Sequence, residues 1–155
     1  MRTTNSRQAG FTIVELMIVI MVIGVLAAIV LPGIRTNAVR ARMSEAILAL
    51  SPCKNAVAEL YNSGGDPPGA GNWGCEITTG ASQYVDSIAT DDNGVITVGT
   101  STNAGLGAAA SKTMTLTPTN STGGALSFSG ITTQVGGFKC QPLTMPAKYL
   151  PGSCR

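Results

Sequence analysis

One apolar stretch, residues 11–31, decides the architecture of this 155-residue chain: FTIVELMIVIMVIGVLAAIVL. Glu15 is its only charged residue. At about 1.5 Å per residue, a helix of this length matches the roughly 30 Å hydrocarbon core of a bilayer. Basic residues flank the stretch on both sides, so charge bias does not indicate its orientation. They are Arg2, Arg7, Arg35, Arg40 and Arg42. The stretch predicts a helix that faces lipid.

Beyond residue 33 the sequence takes on the pattern of an amphipathic helix. Its apolar residues recur at about the 3.6-residue period of a helix, and the pattern continues to Leu60. They include Ile34, Ala38, Ala41, Ile47 and Leu48. The sequence Asn62-Ser63-Gly64-Gly65 is a strong signal for the end of a helix. Pro32 and Pro52 each remove a backbone donor and predict kinks. We therefore expect one long, bent helix.

After Gly65 the chain is rich in Gly, Ser, Thr and Asn, and short runs in it have the pattern of strands. Apolar residues alternate with polar ones in these runs, and turn sequences separate them, as in an antiparallel sheet. The runs are Val95–Val98, Thr113–Thr117, Ala125–Phe128 and, more weakly, Val135–Cys140. The sequence predicts an α+β fold in which the C-terminal half of the helix packs on a four-stranded antiparallel sheet, with the helix as the stick of a lollipop.

The composition argues against several classes of function. The chain has no histidine, which excludes Ser-His-Asp, Cys-His and His-metal sites. Its net charge of +2 and its 5% of aromatic residues do not favour nucleic acid as the main partner. Asp86, Asp91 and Asp92 lack the spacing of a calcium loop. We expect a protein that is not an enzyme and that has neither a cofactor nor a metal site.

The N-terminal apolar stretch has two ordinary interpretations. It has the features of a secretory signal peptide, and it is also long enough to be a plain single-span anchor. Neither interpretation accounts for Glu15, because a carboxylate within such a stretch costs about 2.5–3.5 kcal/mol of insertion free energy. Glu15 should therefore have a partner or a purpose.

Gly10-Phe11-Thr12-Ile13-Val14-Glu15-Leu16-Met17 resembles the processing site of type IV prepilins. In that family a short basic leader is removed after the glycine, and the new N-terminal residue is N-methylated. The resemblance implies a leader at 1–10, cleavage between Gly10 and Phe11, and a mature chain that begins with N-methylated Phe11. Glu15 then stands five residues into the mature chain, where the family has its glutamate.

Two further regions resemble the type IVa subfamily. Gly24 and Pro32 stand where those pilins have a glycine and a proline that bound a helix segment which becomes extended in the filament. Both residues weaken a helix interior, although Gly24 with Ala28 also has the spacing of a close helix–helix contact. At the other end, residues 148–155 and Phe138-Lys139-Cys140 resemble the segments that bound the disulfide-closed C-terminal loop of these pilins.

Four cysteines allow three disulfide pairings, and spacing alone does not choose among them. The family resemblance implies a Cys140–Cys154 bridge that closes the C-terminal loop, which leaves Cys53 to pair with Cys75. A four-thiolate zinc site is the competing interpretation, but the chain has no C-x-x-C pair.

The resemblance implies a major structural subunit of a type IV pilus that serves adhesion, twitching motility and, with weaker support, DNA uptake. Residues 11–32 would form the membrane and filament-core helix, and residues 33–155 the periplasmic and later extracellular head. Its partners would be other copies of the chain, prepilin peptidase, the pilus assembly machinery of the inner membrane, and host or abiotic surfaces. Lys112, Lys139, Lys148 and Arg155 offer DNA a modest basic patch, although scattered solvated lysines are the simpler interpretation. The alternatives are a minor pilin specialised for binding and a type II secretion pseudopilin.

Overall fold

The computed structural model describes residues 10–154, except the side chains of residues 31–33 and 153. The chain divides into two compact units, residues 1–35 and 36–155. The predicted leader therefore lies almost entirely outside the described residues. Each unit is described by itself below.

The first unit contains the beginning of helix α1, which runs over Ile13–Leu48. The large apolar side chains from Phe11 to Val30 are all exposed. Helix α1 does not end at Pro32, where we expected a kink, and the side chain of Pro32 lies outside the described residues.

In the second unit the predicted bent helix is present as two consecutive helices. Helix α1 ends at Leu48, and α2 runs over Ser51–Ser63 after a turn at Ala49 and Leu50. Pro52 stands in the first turn of α2, where its missing N–H costs no helical hydrogen bond. Gly64 ends α2 with φ +67°, which is the left-handed region that favours glycine. The end of this helix is therefore where the sequence predicts it.

Four antiparallel strands form one sheet, as the sequence predicts. They are β1 (Val85–Thr90), β2 (Ile96–Thr100), β3 (Thr113–Thr119) and β4 (Gly137–Pro142). Their order in the sheet is the order of the chain, so that each strand pairs with the next. Short 3₁₀ helices follow β2 and β4, at Ala104–Ala109, Ala147–Tyr149 and Gly152–Cys154.

The prediction of a strand at Ala125–Phe128 is wrong. Both edges of β3 are occupied over most of its length, by β2 on one side and β4 on the other. The segment makes only an isolated bridge between Ala125 and Thr119, and the N–H of Leu126 donates to the carbonyl of Pro118 at 2.9 Å. Leu126 and Phe128 nevertheless pack against the core. The alternation of apolar residues in this segment therefore reflects packing against the core, although the segment is not a strand of the sheet.

Strand β1 was not predicted, and its register explains why. Val85 and Ile88 are both buried although they stand three residues apart. The register shifts between Val85 and Ser87, which is the position of a β-bulge. A bulge breaks the two-residue alternation by which a strand is recognised in a sequence.

The core lies between the helices and one face of the sheet. The predicted apolar face of the second half of α1 is partly wrong, since Leu48 is 71% exposed and Ala41 is also exposed. The two helices and the turn between them contribute to the core Val39, Met43, Ala46, Leu50, Cys53, Val57 and Tyr61. The sheet contributes Ile88, Ile96, Val98, Met114 and Leu116. The helix packs on the sheet as predicted, but through a neighbouring face.

Three aromatic rings form the part of the core beneath the loop that follows α2. Tyr61 lies 5.9 Å from Trp73 and 5.1 Å from Phe128, measured between ring centroids. The Tyr61 hydroxyl donates a hydrogen bond to the carbonyl of Asn93 at 2.8 Å. Burial, with a smaller effect of the Asp91 charge, raises the pKa of Tyr61 to about 12. The phenol is therefore neutral at any physiological pH.

Candidate functional site

The first unit contains an exposed apolar arm, residues 13–30 of α1. Residues 13–30 have a mean hydropathy of 3.0 and none of this segment is buried. By length and composition this is a helix that can cross a membrane. A continuous apolar surface of this size requires lipid or other apolar helices around it.

Glu15 lies in the first turn of α1. Its backbone N–H donates to the Thr12 hydroxyl at 3.3 Å, which satisfies one of the free donors at the start of the helix. A carboxylate in this position also interacts favourably with the helix dipole. Among residues 10–154, no ion pair or side-chain hydrogen bond is made by its carboxylate, which is exposed. Within the described part of the chain, no group therefore competes with a partner from another subunit for the Glu15 carboxylate.

The other predicted assembly residues lie in open surroundings. A Cβ added at Gly10 or at Gly24 would meet no atom within 4 Å beyond its local backbone. Phe11 is 84% exposed. Steric crowding therefore does not restrict position 10 or position 24 to glycine within the subunit.

The two disulfides of the structure join Cys53 to Cys75 and Cys140 to Cys154. The Cys140–Cys154 bridge is the one that the family resemblance implies, and Cys53–Cys75 is the pair that it leaves. The first bridge ties the loop after α2 to that helix. The second closes residues 141–153 into the C-terminal loop and fastens its end to β4. Each bridge removes conformational freedom from the unfolded chain, which is the usual origin of its stabilising effect.

A second set of contacts organises the loop after α2, and sequence analysis missed it. The Glu76 carboxylate accepts hydrogen bonds from the backbone N–H groups of Trp73 (2.8 Å) and Cys75 (3.0 Å) and from the Thr90 hydroxyl. The indole N–H of Trp73 donates to the carbonyl of Asp91 at 2.8 Å. A single glutamate beside a cysteine in a Gly-rich segment has no sequence signature, so only the structure shows its role.

Replacing Glu76 by Gln is expected to lower the free energy of unfolding by about 1–3 kcal/mol at pH 7, because bonds to a charged acceptor are weakened. Partial burial raises the pKa of Glu76, but hydrogen bonds from Thr90, Trp73 and Cys75 outweigh it, so that the net pKa is lowered. A lowered pKa contributes stability that is present above the unfolded value of about 4.3 and is lost as the pH falls through the folded value.

The difference between wild type and Glu76→Gln should therefore shrink below about pH 4. Urea unfolding of the full-length chain in detergent, followed through its single tryptophan, measures it. Glu59→Gln is the matched control, since Glu59 is exposed on α2. A difference that persists unchanged at low pH would contradict the role given to the carboxylate.

The acidic residues near the end of β1 act within the fold. Asp91 accepts hydrogen bonds from the N–H groups of Asn93 and Val95, and Asp92 accepts one from the N–H of Ala70. These bonds stabilise the β1–β2 turn and fasten the loop after α2 to it. Of the predicted basic residues, Lys139 lies on β4 and Lys148 in the C-terminal loop, while Arg155 lies outside the described residues.

Comparison with known protein families shows to which family the chain belongs. Residues 39–155 match the family model described as pilin (bacterial filament), and residues 5–31 match the prokaryotic N-terminal methylation motif. The chain belongs to the pilin family. The two matches are separated by residues 32–38 of α1, and together they cover the apolar arm and the head.

Among its curated relatives, the fimbrial protein EcpC of Eikenella corrodens is 38% identical over 96% of this chain and 91% of that protein. The fimbrial protein of Neisseria meningitidis serogroup B is 43% identical over 60% of this chain and 55% of its own length. A type IV major pilin protein PilE1 of Neisseria gonorrhoeae is 42% identical over 60% of this chain and 44% of its own length. The chain thus aligns with about half the length of these Neisseria pilins.

Among solved structures, a type IV pilin of Pseudomonas aeruginosa matches with a TM-score of 0.59 over 76% of this chain and 98% of that one. The sequence identity is 18%, so this match supports the fold alone.

Proposed function

We propose that the chain is the structural subunit of a type IV pilus and polymerises through its apolar N-terminal helix. The observation that carries the proposal is the exposed apolar arm of a pilin, with the Glu15 carboxylate exposed in its first helical turn. The alignment with EcpC over nearly the whole chain and the match to major pilins favour a main filament subunit. They do not favour the alternatives of a minor pilin or a secretion pseudopilin.

Before assembly, residues 11–32 hold the subunit in the inner membrane, and residues 33–155 lie in the periplasm. Prepilin peptidase removes residues 1–10 and exposes the amine of Phe11, which is then N-methylated. The match to the N-terminal methylation motif supports this order of events. The assembly machinery of the inner membrane then transfers the subunit into the filament.

In the filament, the Glu15 carboxylate of one subunit pairs with the Phe11 amine of a neighbour. Each charge is expensive alone among apolar helices, and the pair neutralises both. The cohesion itself comes from the burial of the apolar arms, since burial of apolar surface is the main favourable term in association. Gly24 and Pro32 are the weakest points of the helix and allow the segment between them to extend.

Two surface segments of the head then contact the surroundings of the filament. They are the C-terminal loop and residues 64–92, which comprise the loop after α2, strand β1 and the start of the next turn. Both segments have many exposed residues and a disulfide. Host and abiotic surfaces are the proposed partners for adhesion and twitching motility. DNA is a weaker candidate, and its binding should fall steeply with added salt.

Filaments sheared from the producing cells should consist mainly of this chain with N-methylated Phe11 at its N-terminus. N-terminal sequencing and intact-mass measurement of the sheared fraction test processing, location and abundance together. A chain that retains residues 1–10 in the filament would contradict the processing site. A chain present only in trace amounts beside another dominant pilin would make it a minor subunit.

A further inference from the structure

Contacts fix the C-terminal loop at its two ends and at residues 143–145. The Cys140–Cys154 disulfide holds its ends. The N–H groups of Leu143, Thr144 and Met145 converge on the single carbonyl oxygen of Thr113, at 3.2, 3.1 and 3.1 Å. The side chain of Met145 is 3% exposed. These contacts fix the first part of the loop on the beginning of β3.

The second part of the loop pairs with no strand of the sheet, and its Leu150 side chain is buried in the core. It contains the three-residue 3₁₀ helix Ala147–Tyr149, which is too short to be stable alone. Within this turn Tyr149 donates to the carbonyl of Pro146 and Leu150 to that of Ala147, so the turn itself does not use the carbonyl of Lys148. That carbonyl accepts a hydrogen bond from the Nε–H of Arg40 at 2.6 Å.

Arg40 lies on the part of α1 that packs against the head and is half-buried. It is 108 residues away from Lys148 in the sequence. A guanidinium donates a charge-assisted hydrogen bond, which is stronger than one between neutral groups. We propose that Arg40 is a positioning residue for the C-terminal loop: its bond to the Lys148 carbonyl holds the second part of the loop in the conformation that the filament presents.

The turn that Arg40 contacts carries the exposed Lys148 and the half-buried Tyr149, which packs against the core. The Lys148 ammonium lies 4.9 Å from the centroid of the Tyr149 ring, in a cation–π contact. Both residues belong to the turn that Arg40 holds. If this loop contacts surfaces, which rests on the proposed function, then the loss of Arg40 alters recognition without removing any contacting residue.

Trypsin cleavage after Lys148 in the full-length protein, in detergent micelles, tests the assignment. Cleavage releases peptide 149–155 only after reduction, because Cys154 stays bonded to Cys140. In Arg40→Gln the initial rate should rise about two- to tenfold, because the lost hydrogen bond is exposed to solvent. Cleavage after Lys139, which lies on β4, should not change.

Arg42→Gln is the matched control. Its guanidinium also bonds a distant backbone carbonyl, that of Gly105, and lies 5.9 Å from the centroid of the Tyr84 ring. It should leave cleavage after Lys148 at the wild-type rate. An unchanged rate in Arg40→Gln, or an equal rise at Lys139 or in Arg42→Gln, would overturn the proposal, because general loosening of the head would then be the cause.

A second measurement separates this proposal from the proposed function. Cells that produce Arg40→Gln should carry wild-type amounts of filament but bind surfaces more weakly. If the wild-type chain itself forms no filament, the proposed function fails while the cleavage result still stands. If filaments of the variant bind as well as wild type although the loop is loosened, the loop has no role in recognition and the functional part of the proposal fails.

Discussion

Replacing Glu15 by Val is expected to reduce the amount of surface filament more than about tenfold while the subunit still enters the membrane. In the proposed filament, the variant leaves the Phe11 amine of a neighbouring subunit among apolar helices without a counter-charge. Breaking a buried ion pair in this way costs about 3–5 kcal/mol. Such a cost lowers an equilibrium constant by about a hundredfold or more. Insertion should not suffer, because valine is cheaper to place in lipid than glutamate.

Sheared filament protein and membrane-bound subunit, both quantified by immunoblot, measure the effect. Glu45→Val is the matched control, because Glu45 is exposed on the same helix but beyond the apolar arm. Piliation at the wild-type level in Glu15→Val would exclude the charge pair. Loss of filaments in Glu45→Val as well would show that any charge removed from α1 has this effect.

Replacing Gly10 by Glu is expected to leave nearly all of the chain uncleaved. The peptidase must bring the bond after residue 10 into its active site, and a long charged side chain directly before that bond hinders this approach. A Cβ at Gly10 meets no atom within 4 Å beyond its local backbone, so the subunit itself tolerates the larger residue. The loss of cleavage would therefore reflect recognition by the peptidase and not misfolding of the pilin.

Intact-mass measurement of the membrane-bound chain shows whether residues 1–10 are still attached. Gly10→Ala is the control, and we expect it to be cleaved because alanine is nearly as small as glycine. Complete cleavage of Gly10→Glu would move the processing site away from the Gly10–Phe11 bond. Cleavage of neither variant would mean that the site needs glycine itself.

The sequence predicts those elements in which the spacing of the apolar residues matches the pattern of burial. The buried residues alternate along the whole of β2 and along β3 as far as Pro118. The end of α2 follows from two consecutive glycines, the first of which has positive φ. Where the environment depends on distant partners, the pattern fails. The bulge in β1 hides a strand, and Ala125–Phe128 imitates one because Leu126 and Phe128 pack on the core from a loop.

The candidate site divides in the same way. Gly10, Phe11 and Glu15 are recognisable because their spacing within one short segment carries the signal. Glu76 and Arg40 are not, since each acts on backbone groups that the fold brings to it, and any long polar side chain looks the same in the sequence. A hydrogen bond between a side chain and a distant backbone carbonyl produces no periodic pattern in the sequence.

The strand order has a consequence for how the subunit reaches its final state. Because every strand pairs with its immediate successor in the chain, the sheet consists of contacts that are close in sequence, and a chain with such contacts folds quickly. The two disulfides likewise join cysteines only 22 and 14 residues apart. We therefore expect the sheet and its disulfides to form before the subunits meet, so that the growing filament receives heads that are already folded.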